Sequence, residues 1–343
     1  MTLHTMRRLL ALALSTLPLL AQAWHAEGHQ TVATIAAGLI QGTPTQARVK
    51  ALLGDLTLAD AAVWADCVKG VKPDRAYTYP APGRYASCAP LETPERIAEM
   101  ADYVRRNLRQ CEPHPGEETC HQQYHYTDVA LQRSRYIEGF AGTSGHDVVG
   151  VAQAAIRVLQ GQPSTPPMDF KSPREALLVL VHAIGDMHEP MHVGTVYLDA
   201  HGRLLDPDKT GLDRDSLTIG GNALHVAGTP ASGPGSLNLH SVWDRVPERF
   251  GPAHVDAAWL AEAARVAPAG GAPLQWPSLW ATDSLDQARA AFDGLRFGPK
   301  QGKSWSVVLP AGYETRADAI KRQQLTRGGA RLAQLLMAVL PAP

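Results

Sequence analysis

The sequence predicts a mainly α-helical fold with a small β-hairpin element. Ala176 to Val181 is an unbroken apolar run preceded by Ser172, Pro173 and Glu175. These read as an N-cap, a proline at the first helical position and the glutamate of a capping box. A second long apolar helix runs from about Arg316 to Leu340 without a proline. Short runs of period-two alternation, such as Thr195–Leu198 and Leu217–Ile219, lie within a Gly-, Asp- and Pro-rich stretch at 194–238. That stretch reads as a small β-hairpin or a long excursion.

In chain order, residues 1–23 stand apart. Arg7 and Arg8, the apolar Leu9 to Leu20 and Ala21-Gln22-Ala23 have the layout of a secretory signal peptide. The apolar run is too short for a spanning helix, and Pro18 interrupts it. Export to the periplasm or beyond, from a bacterium, is the expectation, with a mature chain of one catalytic domain, 24–343. Removing Arg7 and Arg8 from the 32 basic residues leaves 30 against 33 acidic ones, a formal charge of −3. The sequence has no basic stripe of the kind that follows a phosphate backbone, so the grip on an anionic substrate falls to metal ions or a few local charges.

Gln30 to Ile40, Pro44 to Leu53, Pro94 to Leu108 and residues 147–160 read as helices, and 70–93, 110–120 and Gln162 to Pro167 as loops. Residues 245–343 read as helical, apart from a Pro/Gly-rich stretch at 265–277. Four cysteines, Cys67, Cys88, Cys111 and Cys120, are an even number in an exported chain and imply two disulfides. Three pairings are possible; Cys67–Cys88 and Cys111–Cys120 are favoured because each closes a short loop.

The chemistry concentrates around His182-Ala-Ile-Gly-Asp186-Met-His188-Glu-Pro-Met-His192. His182 and Asp186 are four apart and share a helical face. Pro190 ends the helix and lets His192 swing back. His240 and Asp244 repeat the spacing, and with His192 they make an open two-His, one-carboxylate set. Asp66 follows an apolar turn, with Lys69 three residues on; His125, Tyr126 and Asp128 cluster in Gln123–Val129. Trp24 would open the mature chain. Its free amine and carbonyl are able to chelate a metal, with His29 a helical turn away. Gly220-Gly221-Asn222 is a turn that could bring backbone amides close to a ligand, or be only a turn.

Taken together, Trp24, His29, Trp64-Ala65-Asp66, His125, His182-x-x-x-Asp186, His192 and His240-x-x-x-Asp244 resemble the zinc-dependent single-strand-specific nucleases of fungi, the bifunctional nucleases of plants and their bacterial relatives. Trp280-Ala-Thr-Asp-Ser284 and Gly329-Ala-Arg-Leu-Ala333 look like the same family. The resemblance implies a single-domain α-helical zinc phosphodiesterase fold, of the phospholipase C/nuclease type, and three zinc ions per chain. Asp66, His125, His182 and Asp186 would hold one. Trp24, His29 and the other oxygen of Asp186 would hold a second, and His192, His240 and Asp244 the third. Lys69 matches a position that meets the phosphate, and Asp66 one that orients and deprotonates the attacking water. Tyr126 matches a base-stacking aromatic, commonly Phe; Asp128 and Asn222 match groups on the base edge. The irregular stretch 199–216 separates Asn222 from the motif before it.

The implied activity is endonucleolytic hydrolysis of single-stranded DNA and RNA to 5′-phosphorylated products, with 3′-nucleotidase action on 3′-mononucleotides. The implied enzyme is a monomer with no stable protein partner and no membrane attachment. A zinc-dependent phospholipase C is the nearest alternative. It places its first His further from the Trp and ends its last pair with Glu, so Trp24-x4-His29 and His240-x3-Asp244 favour the nuclease. A non-catalytic periplasmic zinc-binding protein is the other alternative; ligands arriving singly from separate helices suit a preorganised site better than metal exchange.

Overall fold

The structure is a computed structural model that describes residues 24–80, 82–108, 111, 120–230, 232–233 and 235–340. The expected signal peptide, residues 1–23, lies outside the described residues. The helices are α1 (Ala26–Leu39), α2 (Pro44–Leu53), α3 (Leu58–Ala62), α4 (Trp64–Val68), α5 (Pro94–Arg106), α6 (Val148–Leu159), α7 (Pro173–Met187), α8 (Pro207–Thr210), α9 (Leu239–Asp244), α10 (Ala257–Ala263), α11 (Trp276–Phe292) and α12 (Tyr313–Val339). Short strands are interspersed: β1 (Val129–Ala130), β2 (Gly194–Thr195), β3 (Tyr197–Leu198), β4 (Leu204–Leu205), β5 (Leu224–Val226), β6 (Arg296–Gln301) and β7 (Ser304–Val308). The protein is mainly α, as its sequence predicts.

Helix α7 is the axis. Every residue from Glu175 to Met187 is buried, so it packs on all sides rather than along one stripe. Its main neighbour is α6, while α1 lies against α12 and α3. Ser172 Oγ accepts from Glu175 N–H at 3.2 Å, which is the predicted N-cap. The capping box does not close. Glu175 instead accepts from Lys171 N–H at 2.9 Å and from Arg106 Nη2 at 2.6 Å, because a buried carboxylate gains more from a guanidinium than from one amide.

The apolar interior falls into two clusters. The larger is built on α1, α6, α7 and α12. The smaller holds Met191, Leu239, Trp243, Trp305 and Tyr313 around the sheet ordered β5-β7-β6. Met187 belongs to the first and Met191 to the second, so the chain crosses between clusters where the histidines lie.

Two expectations need correction. Leu217–Ile219 forms no strand; Leu217 makes only an isolated bridge to Tyr197, and the predicted hairpin is β3 with β4. The stretch 245–343 is not all helical, because β6 and β7 pair antiparallel at 296–308, around Gly302 at φ +62. Alternation in Trp305-Ser306-Val307-Val308 is a strand signal too short to stand out between two long helices. Both disulfides form in the favoured pairing, Cys67–Cys88 and Cys111–Cys120. Loop closures of this size stabilise by about 3 kcal/mol each. The first also ties the 70–88 loop to the residue after Asp66.

Candidate metal centre

Helix α7 presents His182 and Asp186 from one face, with His182 Nε2 3.0 Å from Asp186 Oδ2. A 3-10 turn over Cys120–His125 brings in His125, whose Nδ1 lies 3.1 Å from the same oxygen and 2.9 Å from His182 Nε2. Asp66, on α4, places Oδ1 3.8 Å from both nitrogens. The other Asp186 oxygen, Oδ1, faces His29 Nε2 from α1 at 3.3 Å. Two groups of convergent ligand atoms result, His125/His182/Asp186 and His29/Asp66/His182. His192, His240 and Asp244 form a third, with Nε2 to Nε2 at 3.2 Å and His240 Nε2 to Asp244 Oδ2 at 3.5 Å.

Backbone carbonyls orient the rings. His182 Nδ1–H donates to Ala62 O at 2.6 Å, His192 Nδ1–H to His125 O at 2.8 Å and His240 Nδ1–H to Gly220 O at 2.8 Å. Each bond leaves an Nε2 lone pair aimed inward, as metal-ligating imidazoles require. The Gly220-Gly221 turn thus offers its Gly220 carbonyl to the His240 ring. Gly220 sits at φ +53, and a Cβ there would lie 2.6 Å from Met191 O. Trp24 is fully buried, and its indole N–H donates to Gly185 O at 3.0 Å. His25 N–H donates to Asp244 O at 3.0 Å, which pins Trp24 and His25 between α7 and α9.

The donors fit a zinc cluster. His29 Nδ1 and Nε2, Asp186 Oδ1 and Asp244 Oδ1 are buried without a hydrogen-bond partner. Carboxylates left so cost several kcal/mol unless a cation meets them. Imidazole and carboxylate without thiolate suit zinc. Burial pushes the Asp66 carboxyl up, but Lys69 and the imidazoles of His182, His125 and His29 outweigh it and hold it at about 2. Asp186 goes well below the usual range: burial opposes, while His182, His125 and His29 favour the ion. Burial pushes His125 and His240 down to about 3 and lowers His29 and His192, so these rings are neutral, as metal ligation would require. His182 is pushed down by burial and raised more by Asp186 and Asp66. Asp244 is driven well up by burial and by Glu189, Asp66 and Asp186, and burial lifts Glu189 to about 8. Ionised together, Asp66, Asp186, Glu189 and Asp244 would carry more negative charge than Lys69 and Lys321 balance, which is why burial and mutual repulsion push Glu189 and Asp244 up.

Beside the clusters opens a cavity of about 210 Å³ walled by Lys69, Gln122, His125, Tyr126, Met191, His192, Ile219, Gly220, Asn222 and His240. Lys69 Nζ lies 3.1 Å from Asp66 Oδ1. Tyr126 and Asn222 are on this wall. Asp128 is half-buried and off the wall, its N–H donating to Gly142 O and its carbonyl accepting from Tyr197 OH. Sequence reasoning missed Ile219, which is 47 % exposed on the wall and held at φ +53. A β-branched residue rarely takes that conformation; an apolar residue directly before Gly-Gly was the available clue. Missed as well was Lys321, a buried lysine on α12 whose Nζ donates to Val242 O at 2.7 Å and Arg245 O at 2.6 Å, fastening the end of α9. His188, adjacent to the ligands, donates Nδ1–H to Ile184 O at 2.7 Å and accepts from Arg331 Nη1 at 3.1 Å.

A helical frame that drives imidazoles and carboxylates into one buried cluster beside an open cavity is that of a metal-dependent hydrolase. The chain matches the S1/P1 nuclease family model over residues 24–341 and belongs to that family. It is a nuclease of a zinc-dependent family that hydrolyses phosphodiester bonds in nucleic acids. The match favours the nuclease over both the phospholipase and the non-catalytic alternative. No curated protein matches the chain.

Proposed function

We propose that the mature protein, beginning at Trp24, is an exported three-zinc endonuclease. It cuts single-stranded DNA and RNA at the bond to the 3′ oxygen, leaves 5′-phosphates and removes 3′-phosphates from mononucleotides. The observation that carries the reading is Asp186, whose two oxygens face different imidazoles, His29 at 3.3 Å and His182 at 3.0 Å. A carboxylate so placed could serve both ligand groups, one oxygen to each. Asp66, His125, His182 and Asp186 would hold one zinc; Trp24, His29 and Asp186 a second; His192, His240 and Asp244 a third. Zinc held there supplies positive charge that acidifies water and offsets charge on the phosphoryl oxygens.

The chain's own groups do the rest. Asp66, ionised throughout the neutral range, accepts a hydrogen bond from the attacking water and turns it toward phosphorus. Lys69 keeps that carboxylate ionised and balances a phosphoryl oxygen. The water's oxygen joins phosphorus, the bond to the 3′ oxygen breaks and the proton ends on that oxygen. Tyr126 offers a face for the base, with Ile219 on the same cavity wall and Asn222 for the base edge; Asp128, two residues past Tyr126, is the other candidate for that edge. A duplex must spend a few kcal/mol to unstack and unpair a base for this cavity, which is the origin of the single-strand preference. Two disulfides are compatible with export, and among the described residues no helix is long and apolar enough to cross a membrane.

The test is digestion of matched single- and double-stranded DNA, with 3′- and 5′-AMP and phosphatidylcholine in parallel. Faster loss of the single strand, 5′-phosphate ends and phosphate release from 3′-AMP alone are expected. Equal rates on both strand forms, or release of phosphocholine, would overturn the proposal.

A further inference from the structure

The loop after Lys69 carries an aromatic and basic surface that the reaction itself does not use. Lys72, Arg75, Tyr77, Tyr79, Arg84 and Tyr85 lie within 14 residues. Two contacts fold them into one patch. Glu92 accepts from Tyr79 OH at 3.0 Å with one carboxylate oxygen and from Gly83 N–H with the other, drawing the two limbs of the loop together. Lys72 N–H donates to Thr78 O at 2.8 Å and closes the nearer limb. Tyr77 stands at φ +60, and the guanidinium of Arg105, reaching across from α5, lies 4.8 Å from its ring centroid. Arg84 covers Tyr85 in the same way at 5.1 Å.

The patch is fastened to the cavity. Lys72 Nζ donates to Lys69 O at 3.3 Å. The Tyr79 ring lies against Gly70, where a Cβ would be 2.5 Å from Cε2. Cys88, three residues past Tyr85, is bonded to Cys67, the neighbour of Asp66. Six residues of chain span at most ~22 Å, so Arg75 lies within a few nucleotides' reach of Lys69.

The charge there is only partly compensated. Arg75, Arg84 and Arg105 are exposed, and none makes an ion pair among the described residues. The nearby acids are mostly committed: Glu92 inside the loop, Glu99 to Arg174, and Asp102 to Arg106 and Lys171, which leaves Asp74 and Glu95. On a chain that is acidic overall, this is a local positive surface, and it interleaves cations with rings. A guanidinium lying on a tyrosine presents its outer face for a base to stack on, while its N–H groups and Lys72 meet phosphates.

We propose that the outer face of the 72–85 loop, with Arg105, is a second binding element for single-stranded nucleic acid, holding nucleotides that flank the one in the Lys69–Tyr126 cavity. This rests on the nuclease reading above and adds a length preference: long strands are gripped at two places, dinucleotides at one.

The test combines Arg75→Gln, Arg84→Gln and Arg105→Gln in the zinc-loaded enzyme. It measures kcat/KM on a single strand of about 20 nucleotides and on a dinucleotide, across about 50 to 200 mM salt. Three lost phosphate contacts, at a slope of about 0.7 each, should flatten the long-strand salt dependence by about two powers of ten per decade of salt. At the low-salt end the long-strand kcat/KM should fall about tenfold, while dinucleotide cleavage and the thermal midpoint stay at wild-type values. An unchanged salt slope, or equal losses on both substrates, would overturn the second element alone. A wild-type enzyme inactive on both would overturn the nuclease reading and this inference with it.

Discussion

Gly185 sits in α7 between His182 and Asp186, and its missing side chain is where His29 fits. A Cβ there would lie 2.4 Å from His29 Nδ1 and 3.0 Å from Cε1. Ordinary contact begins near 3.4 Å, so Gly185→Ala forces the ring back by about 1 Å. The ring has nowhere to go, because it is fully buried and stacked on His182 with centroids 3.9 Å apart. Ligand distances tolerate only about 0.2 Å, so the zinc proposed at His29 should be lost or bound far more weakly. Overall stability should change little: helix propensity favours Ala by about 1 kcal/mol, against about 1–3 kcal/mol of overpacking. The expected variant is folded, short of one zinc and slower on single-stranded DNA by about 100-fold. Zinc analysis of the purified variant, a thermal melt and a digest form the assay. A Gly185→Ala protein with the full zinc complement and wild-type rate would refute the placement of His29 in the cluster.

Tyr126→Ala should raise KM on single strands and cost about 1–3 kcal/mol of substrate binding, with zinc content unchanged; an unaltered KM would remove Tyr126 from the base site. Lys321→Met leaves Val242 O and Arg245 O without their donor, which should destabilise by about 2–4 kcal/mol and weaken zinc at His192, His240 and Asp244; a melt and zinc retention under mild chelation will show whether it does. Burial, with a smaller push from Lys69, holds His121 down at about 3, against about 6.5 in the unfolded chain. As pH falls below 6.5 the unfolded chain takes up this proton first, so the stability is complete above that pH and is lost toward 3. The ceiling is about 5 kcal/mol. Denaturant midpoints of EDTA-treated protein should fall less steeply with acid in His121→Gln than in wild type, and equal slopes would count against it.

What was legible in the sequence was local. His182 with Asp186, and His240 with Asp244, are read from helical spacing alone, and the Ser172 cap and both disulfides follow from short-range rules. The features that escaped depend on distant packing. Lys321 belongs to a polar stretch of α12 and looks solvated, yet the end of α9 covers it. Glu175 seemed to close a capping box until Arg106, 69 residues earlier, claimed its carboxylate. The β6–β7 hairpin was hidden because its alternation lasts only a few residues. The basic residues of 72–105 looked scattered because nothing in their spacing shows that Glu92 gathers the loop and that Arg105 crosses from another element.

The most direct measurement is elemental analysis of the purified mature chain, with its first residue determined on the same sample. Three zinc ions per chain on a protein that begins at Trp24 is the expected result. Two or fewer zinc ions on an active enzyme, or full activity from a chain still extended before Trp24, would contradict the three-ion cluster and the part given to the terminal amine.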